Sequence, residues 1–129
     1  MKDIFKTLKG KYVSPAPIEG ALARNVDIDQ LCFVGSGLTQ PIMLVTLAAS
    51  AKGKPKEQLE KELVADMKAV NASLEPHEEI AKIVVVKDAW SIDNGIMTPT
   101  MKVKRNEVEK RYGTIIAAND GTKAKVVWE

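Results

Sequence analysis

The sequence is short of the residues that build most self-contained active sites. It has one cysteine, Cys32, and one histidine, His77. A single cysteine excludes an internal disulfide, and its apolar setting (Leu31-Cys32-Phe33-Val34) marks it as a buried small hydrophobe. The lone histidine has no HExxH, no CxxC and no cluster of metal ligands around it. Glu75-Pro76-His77-Glu78-Glu79 reads instead as a capped, solvated helix start. No GxxxxGK[ST] phosphate loop is present; Gly35-Ser36-Gly37 lies between two apolar runs and reads as a turn. Aromatic residues make up only 5% of the chain, too few to wall a deep pocket for a large ligand. No apolar run approaches the ~20 residues of a membrane span, and the N-terminus is charged from Lys2 onward, so a signal peptide is not legible and a cytoplasmic location is expected. A net charge of +2 is too mild for a protein that tracks nucleic-acid phosphates.

What is there is ordinary globular material. The 129 residues are 45% hydrophobic and 28% charged, which suits one domain with a modest core. Ile4 to Leu8 and Tyr12 to Val13 flank Lys9-Gly10-Lys11 and predict a β-hairpin. Ser14-Pro15-Ala16-Pro17 predicts a helix start with Ser14 as a possible cap, followed by a short helix over Ile18 to Arg24. Leu31–Gly35 and Ile42–Leu47 are continuous apolar runs and predict buried, antiparallel neighbours. Pro55 opens the clearest helix, with Leu59, Leu63, Met67, Val70 and Leu74 at three- and four-residue steps until Glu75-Pro76 breaks it. Ala81–Val86 predicts a third buried strand, and Lys104–Tyr112 a short polar helix ended by Gly113. For the tail, 114–129, a last hairpin and a docking tail both remain open. The expected class is α+β: a small mixed sheet of about three central strands, flanked by helices and preceded by a projecting two-stranded hairpin.

Two basic loops invite a functional reading. Lys9-Gly10-Lys11 is either a tight turn with solvated lysines or a place where a glycine lets the backbone approach a ligand. In Asn94-Gly95-Ile96-Met97-Thr98-Pro99-Thr100-Met101-Lys102-Val103-Lys104-Arg105, the Asn-Gly turn and Pro99 predict a stiff loop. Alternation along an extended segment puts Lys102 and Lys104 on one side and Val103 on the other, toward the core. Lys102 is then either a solvated, helix-flanking lysine or an oxyanion or phosphate partner, a point charge on a long stem.

Lys2 to Glu19, with its wording Gly10-Lys11-Tyr12-Val13-Ser14-Pro15-Ala16-Pro17-Ile18-Glu19, resembles the eighth core motif of the adenylate-forming enzymes, and most of all their long-chain acyl-CoA synthetases. Asn94 to Tyr112 resembles the tenth core motif of the same branch. Two motifs in the right order, joined by elements matching the family's C-terminal lid in order and length, carry the resemblance over nearly the whole chain. It implies a single lid domain over 1–129, without the N-terminal domain that holds the adenosine and acyl sites. It implies that Lys102 is the catalytic lysine of acyl-adenylate formation, with ATP, CoA and Mg²⁺ used by the full-length enzyme. It places Lys2 at the interdomain hinge, and Gly10, with Lys9 and Lys11, on the loop that borders the pantetheine tunnel during thioester formation. The implied partners are the chain's own N-terminal domain, fatty acid, ATP and CoA; nucleic acid is not among them, and any membrane association would come through the missing domain. Many relatives carry glycine where this chain has Met101. The alternatives are a lid that serves a carrier protein instead of CoA and a stand-alone binding module, and on this reading the isolated domain is inactive.

Overall fold

The computed structural model describes residues 3–129. Its elements, in chain order, are β1 (Phe5–Lys6), β2 (Tyr12–Val13), α1 (Pro15–Leu22), β3 (Ile28–Val34), β4 (Ile42–Leu47), α2 (Lys56–Asn71), β5 (Lys82–Val85), α3 (Arg105–Arg111), α4 (Gly113–Asn119) and β6 (Val126–Trp128). β1 and β2 form a separate two-stranded sheet. The main sheet has the order β3-β4-β5-β6. β3 pairs antiparallel with β4, whereas β4/β5 and β5/β6 are parallel.

Period-two alternation divides the sheet's side chains between two cores. Phe33, Met43, Val45, Ile83 and Val85 face one side, where Ile18 and Leu22 of α1 and Leu63 and Met67 of α2 cover them. Cys32, Val34, Ile42, Leu44 and Val84 face the other, under Val108 of α3, Ile116 of α4 and the loop residues Trp90, Ile96 and Met97. With both faces covered, alternation cannot appear as apolar and polar, which is why the strands read as unbroken apolar runs. Each parallel pair needs a crossover: α2 crosses on one face, and α3 with α4 on the other.

The tail supplies the fourth strand. Val126, Val127 and Trp128 pair with Ile83, Val84 and Val85, so neither a hairpin nor a loose docking tail describes it. The short polar helix ends where expected, with α3 stopping at Arg111 and Tyr112 as its C-cap, but Gly113 has a second part. It also opens α4, right after Tyr112, which is held in the core: its hydroxyl accepts the buried Trp90 Nε1–H at 2.9 Å. The first helix starts three residues earlier than expected, with Pro15 at its first position, and Ser14 stands at the cap position without a capping side-chain bond. The long helix stops at Asn71, whose side chain bonds both the N–H and the C=O of Ile80 at 2.8 and 3.0 Å, fixing the chain's return toward β5. His77 lies in a single 3₁₀ turn, Pro76–Glu78, closed at its start by a capping box between Glu75 and Glu78, so the capped start is as expected and only the helix is shorter. Lys82, inside a fully buried strand, reaches the Thr122 carbonyl at 3.0 Å; desolvation pushes its pKa down.

The hairpin is pinned at its base. Phe5 packs edge-on against Phe33, ring centres 5.7 Å apart, and lies on Gly35 so closely that a Cβ there would sit 2.2 Å from a ring carbon. Leu8 N–H donates to Leu38 O at 3.0 Å, and Gly37 N–H to Lys6 O at 3.2 Å.

Candidate functional site

The Lys102 loop is a tight hairpin in its own right. Met101 N–H and Thr98 N–H donate to Thr98 O and Lys102 O, each at 2.8 Å. That is a three-residue loop built as a turn followed by one residue in the left-handed region. The left-handed residue is Met101, with φ of +63°, the one non-glycine at positive φ among the described residues. For an L-residue this conformation costs about 1–2 kcal/mol. Thr98 Oγ1 secures the far side of the turn by accepting the Lys102 N–H at 3.1 Å. Below it, Met97 bridges to Val103, and Lys104 N–H donates to Ile96 O at 2.7 Å. Ile96 and Met97 are buried in the core. Asn94 holds the entry: its Oδ1 accepts the N–H groups of Ser91 and Ile96, and its Nδ2 donates to Ala89 O. The stiffness expected from Pro99 is therefore shared among Thr98, Asn94 and two buried side chains.

The turn at Gly10 is the same device. Thr7 N–H donates to Lys11 O at 2.8 Å, Gly10 N–H donates to Thr7 O at 2.9 Å, and Lys11 N–H donates to Thr7 Oγ1 at 3.2 Å. Gly10 has φ of +82°. Thr7 thus corresponds to Thr98, Gly10 to Met101 and Lys11 to Lys102. The shared spacing, Thr-Leu-Lys-Gly-Lys against Thr-Pro-Thr-Met-Lys, was visible in the sequence as a threonine four residues before a lysine.

The two turns do not form one pocket. Lys9 and Lys11 border a cleft of about 430 Å³ with Thr39, Gln40, Glu75 and His77, and the Lys102 loop takes no part in it. A second groove, about 630 Å³ between α2 and the β6 edge, has none of the expected site residues on its walls. Lys102, Lys9 and Lys11 are exposed. The ion pairs among the described residues engage Lys54, Arg105, Lys110 and Arg111 and leave these three lysines out. Lys2 lies outside the described residues. Among those described, no group of three or more His, Cys, Asp and Glu side chains is placed to hold a metal ion, and no helix is long and apolar enough to cross a membrane.

Arg105, which sequence reasoning left without a role, is the best-connected side chain near the loop. Its Nε donates to Phe33 O at 2.8 Å and its Nη2 to Glu19 Oε2 at 2.8 Å, while its Nη1 pairs with Asp3. Glu19 Oε2 also accepts the Phe33 N–H at 2.8 Å. Burial pushes the Glu19 carboxyl up, opposed by that backbone bond, and pushes the Arg105 guanidinium down.

Residues 2–119 match the family described as the AMP-binding enzyme C-terminal domain. The chain belongs to that family. Among curated relatives of this AMP-binding C-terminal domain, a long-chain-fatty-acid–CoA ligase 5 of Rattus norvegicus is 32% identical over 133 residues, covering 89% of this chain and 20% of the relative. A long-chain-fatty-acid–[acyl-carrier-protein] ligase of Arabidopsis thaliana is 28% identical over 116 residues, covering 86% of this chain and 16% of the relative. The chain therefore spans about a fifth of the length of the curated relatives it matches. Its fold is also that of part of the A-PCP didomain of a carboxylic acid reductase from Segniliparus rugosus in complex with AMP, with a TM-score of 0.76 at 23% identity over 91% of this chain and 17% of that one.

Proposed function

We propose that this AMP-binding C-terminal domain is the mobile lid of a fatty acid–CoA ligase, and that Lys102 is the cation it delivers. The observation that carries the reading is the mount of Lys102: an exposed, unpaired ammonium at the tip of a hairpin braced by Thr98 and anchored in the core by Ile96 and Met97. In the full-length enzyme the fatty-acid carboxylate attacks the α-phosphorus of ATP, the bond to the bridging oxygen breaks and pyrophosphate leaves. Charge redistributes over the carboxylate and phosphate oxygens, and a fixed cation there stabilises the transition state more than the ground state. Mg²⁺ travels with the triphosphate as part of the substrate, and this domain's contribution is the lysine. The lid then turns about the segment at Lys2 and brings the Gly10 turn to the site, where the absence of a side chain leaves room for the pantetheine arm. The isolated chain, lacking the acyl and adenosine sites, is expected to form no acyl-CoA.

The test is Lys102→Ala in the full-length protein, with the two half-reactions assayed separately. Loss of one preorganised cation is expected to lower acyl-adenylate formation by about 10²–10³-fold, while conversion of supplied acyl-adenylate to acyl-CoA persists. An equal fall in both half-reactions would remove Lys102 from the role given to it. The carrier-protein ligase among the relatives keeps a second acceptor in view. Rates with CoA and with acyl carrier protein, measured on the full-length enzyme, separate the two.

A further inference from the structure

We propose that Arg105 is the positioning residue of the adenylation step, clamping the base of the Lys102 loop to the hinge side of the domain. The inference rests on the reading of Lys102 above. The bonds inside the loop fix its shape, but they do not fix where its base sits relative to the segment about which the lid turns. Arg105 does. It follows Lys102 by three residues and opens α3. Its one guanidinium joins the end of β3 through Phe33 O, α1 through Glu19 and the segment leading into β1 through Asp3. Asp3 is the chain neighbour of Lys2. All four groups belong to this domain, so they travel together when it rotates, and the rotation reaches Lys102 without play.

The choice of residue fits a geometric task. The guanidinium is planar and offers separate donors in a fixed fork; an ammonium cannot serve a carbonyl and two carboxylates from the same point with the same geometry. The Arg105 side chain is only 14% exposed, and that of Glu19 20%. Burying paired charges adds little stability over well-packed apolar residues, so stability alone does not account for this cluster. Glu19 is itself fixed by the Phe33 N–H, so the clamp has a rigid seat. A misplacement of about 1 Å in a reacting group is enough to cost on the order of 10²-fold in rate.

The test uses the full-length enzyme and four variants: Arg105→Lys, Asp3→Asn, Lys102→Ala and Arg105→Lys combined with Lys102→Ala. Arg105→Lys keeps the charge and loses the fork. It is expected to lower kcat for acyl-adenylate formation by about 10–100-fold with KM for ATP nearly unchanged, and to spare thioester formation from supplied acyl-adenylate. In the Lys102→Ala background the same change is expected to cost no further rate, because there is no longer an ammonium to place. Asp3→Asn touches only the exposed end of the clamp, so folding is not at issue. It is expected to give a smaller loss confined to the same half-reaction. Equal losses from Arg105→Lys with and without Lys102, or in both half-reactions, would make Arg105 a purely structural residue and overturn the proposal. If Lys102→Ala alone left adenylation intact, the reading of Lys102 would fail first, and this inference with it.

Discussion

Gly35 should be the least replaceable glycine in the domain, for a reason unrelated to its φ. A Cβ built there would lie 2.2, 2.8 and 2.9 Å from three carbons of the Phe5 ring. Ordinary van der Waals contact begins near 3.4 Å, so in Gly35→Ala the ring must retreat by about 1.2 Å, the difference between those distances. It has little room, since Phe5 is 6% exposed and wedged against Phe33. Forcing a methyl into such a contact typically costs about 1–3 kcal/mol, comparable to losing much of a buried phenylalanine's ~1.5–3 kcal/mol. For a domain of this size that is a fall in Tm of roughly 3–10 °C. The assay is thermal and urea denaturation of the 129-residue chain, in a cycle with Phe5→Ala. Phe5→Ala should itself be destabilising, by about 3–5 kcal/mol, but it clears the space over residue 35. Gly35→Ala should then cost under ~0.5 kcal/mol in that background, giving a coupling within the range seen for contacting residues. If Gly35→Ala were neutral in the parent, or cost the same in both backgrounds, the ring contact would not be the constraint and the hairpin carrying Gly10 would be held some other way.

Two further outcomes follow from local geometry. Met101→Gly removes a left-handed penalty of about 1–2 kcal/mol and adds about 0.5–1 kcal/mol of chain entropy to the unfolded state, so Tm should rise by up to roughly 5 °C; in the twin turn, Gly10→Ala should lower it, and a fall for Met101→Gly would refute the strain argument. Asp27 accepts from Lys54 Nζ at 2.7 Å and from Ser50 Oγ at 2.9 Å, and the Lys54 ammonium holds its carboxyl below the usual carboxylate range. A folded-state pKa below the unfolded value of ~3.9 contributes stability that is present above that pH and lost as pH falls through the folded value. The parent's Tm should therefore drop more steeply below about pH 4 than that of Asp27→Asn, which starts lower at neutral pH; parallel curves would remove Asp27 from the acid transition.

Residue pattern and tertiary structure contributed differently to the candidate site. The turns that carry Lys102 and Gly10 were legible because motif, turn chemistry and charge coincide in short stretches. The strands β3, β4 and β5 and the long helix were legible because their apolar spacing exceeds what loops show. Arg105 was not legible. It is one cation in a run with Lys102 and Lys104, and what separates it is the arrival of Asp3, Glu19 and Phe33 from far away in the chain. The cleft that gathers Lys9, Lys11 and His77 was hidden for the same reason.

The sequence by itself determined the α+β class, which turns the chain carries and which lysine stands at each tip, since these depend on neighbours within a few residues. Only the tertiary structure decided that the tail completes the sheet as a fourth, parallel strand, that Gly113 begins a helix, and that Arg105 faces inward. A three-residue strand has too little pattern of its own: Val126 to Trp128 becomes a strand because β5 offers an unpaired edge. A glycine that ends one helix can also begin the next where the fold supplies a core face for it, and α4 finds one through Ile116. A charged side chain goes inside only where partners from other elements meet it, and those partners exist only once the chain has folded.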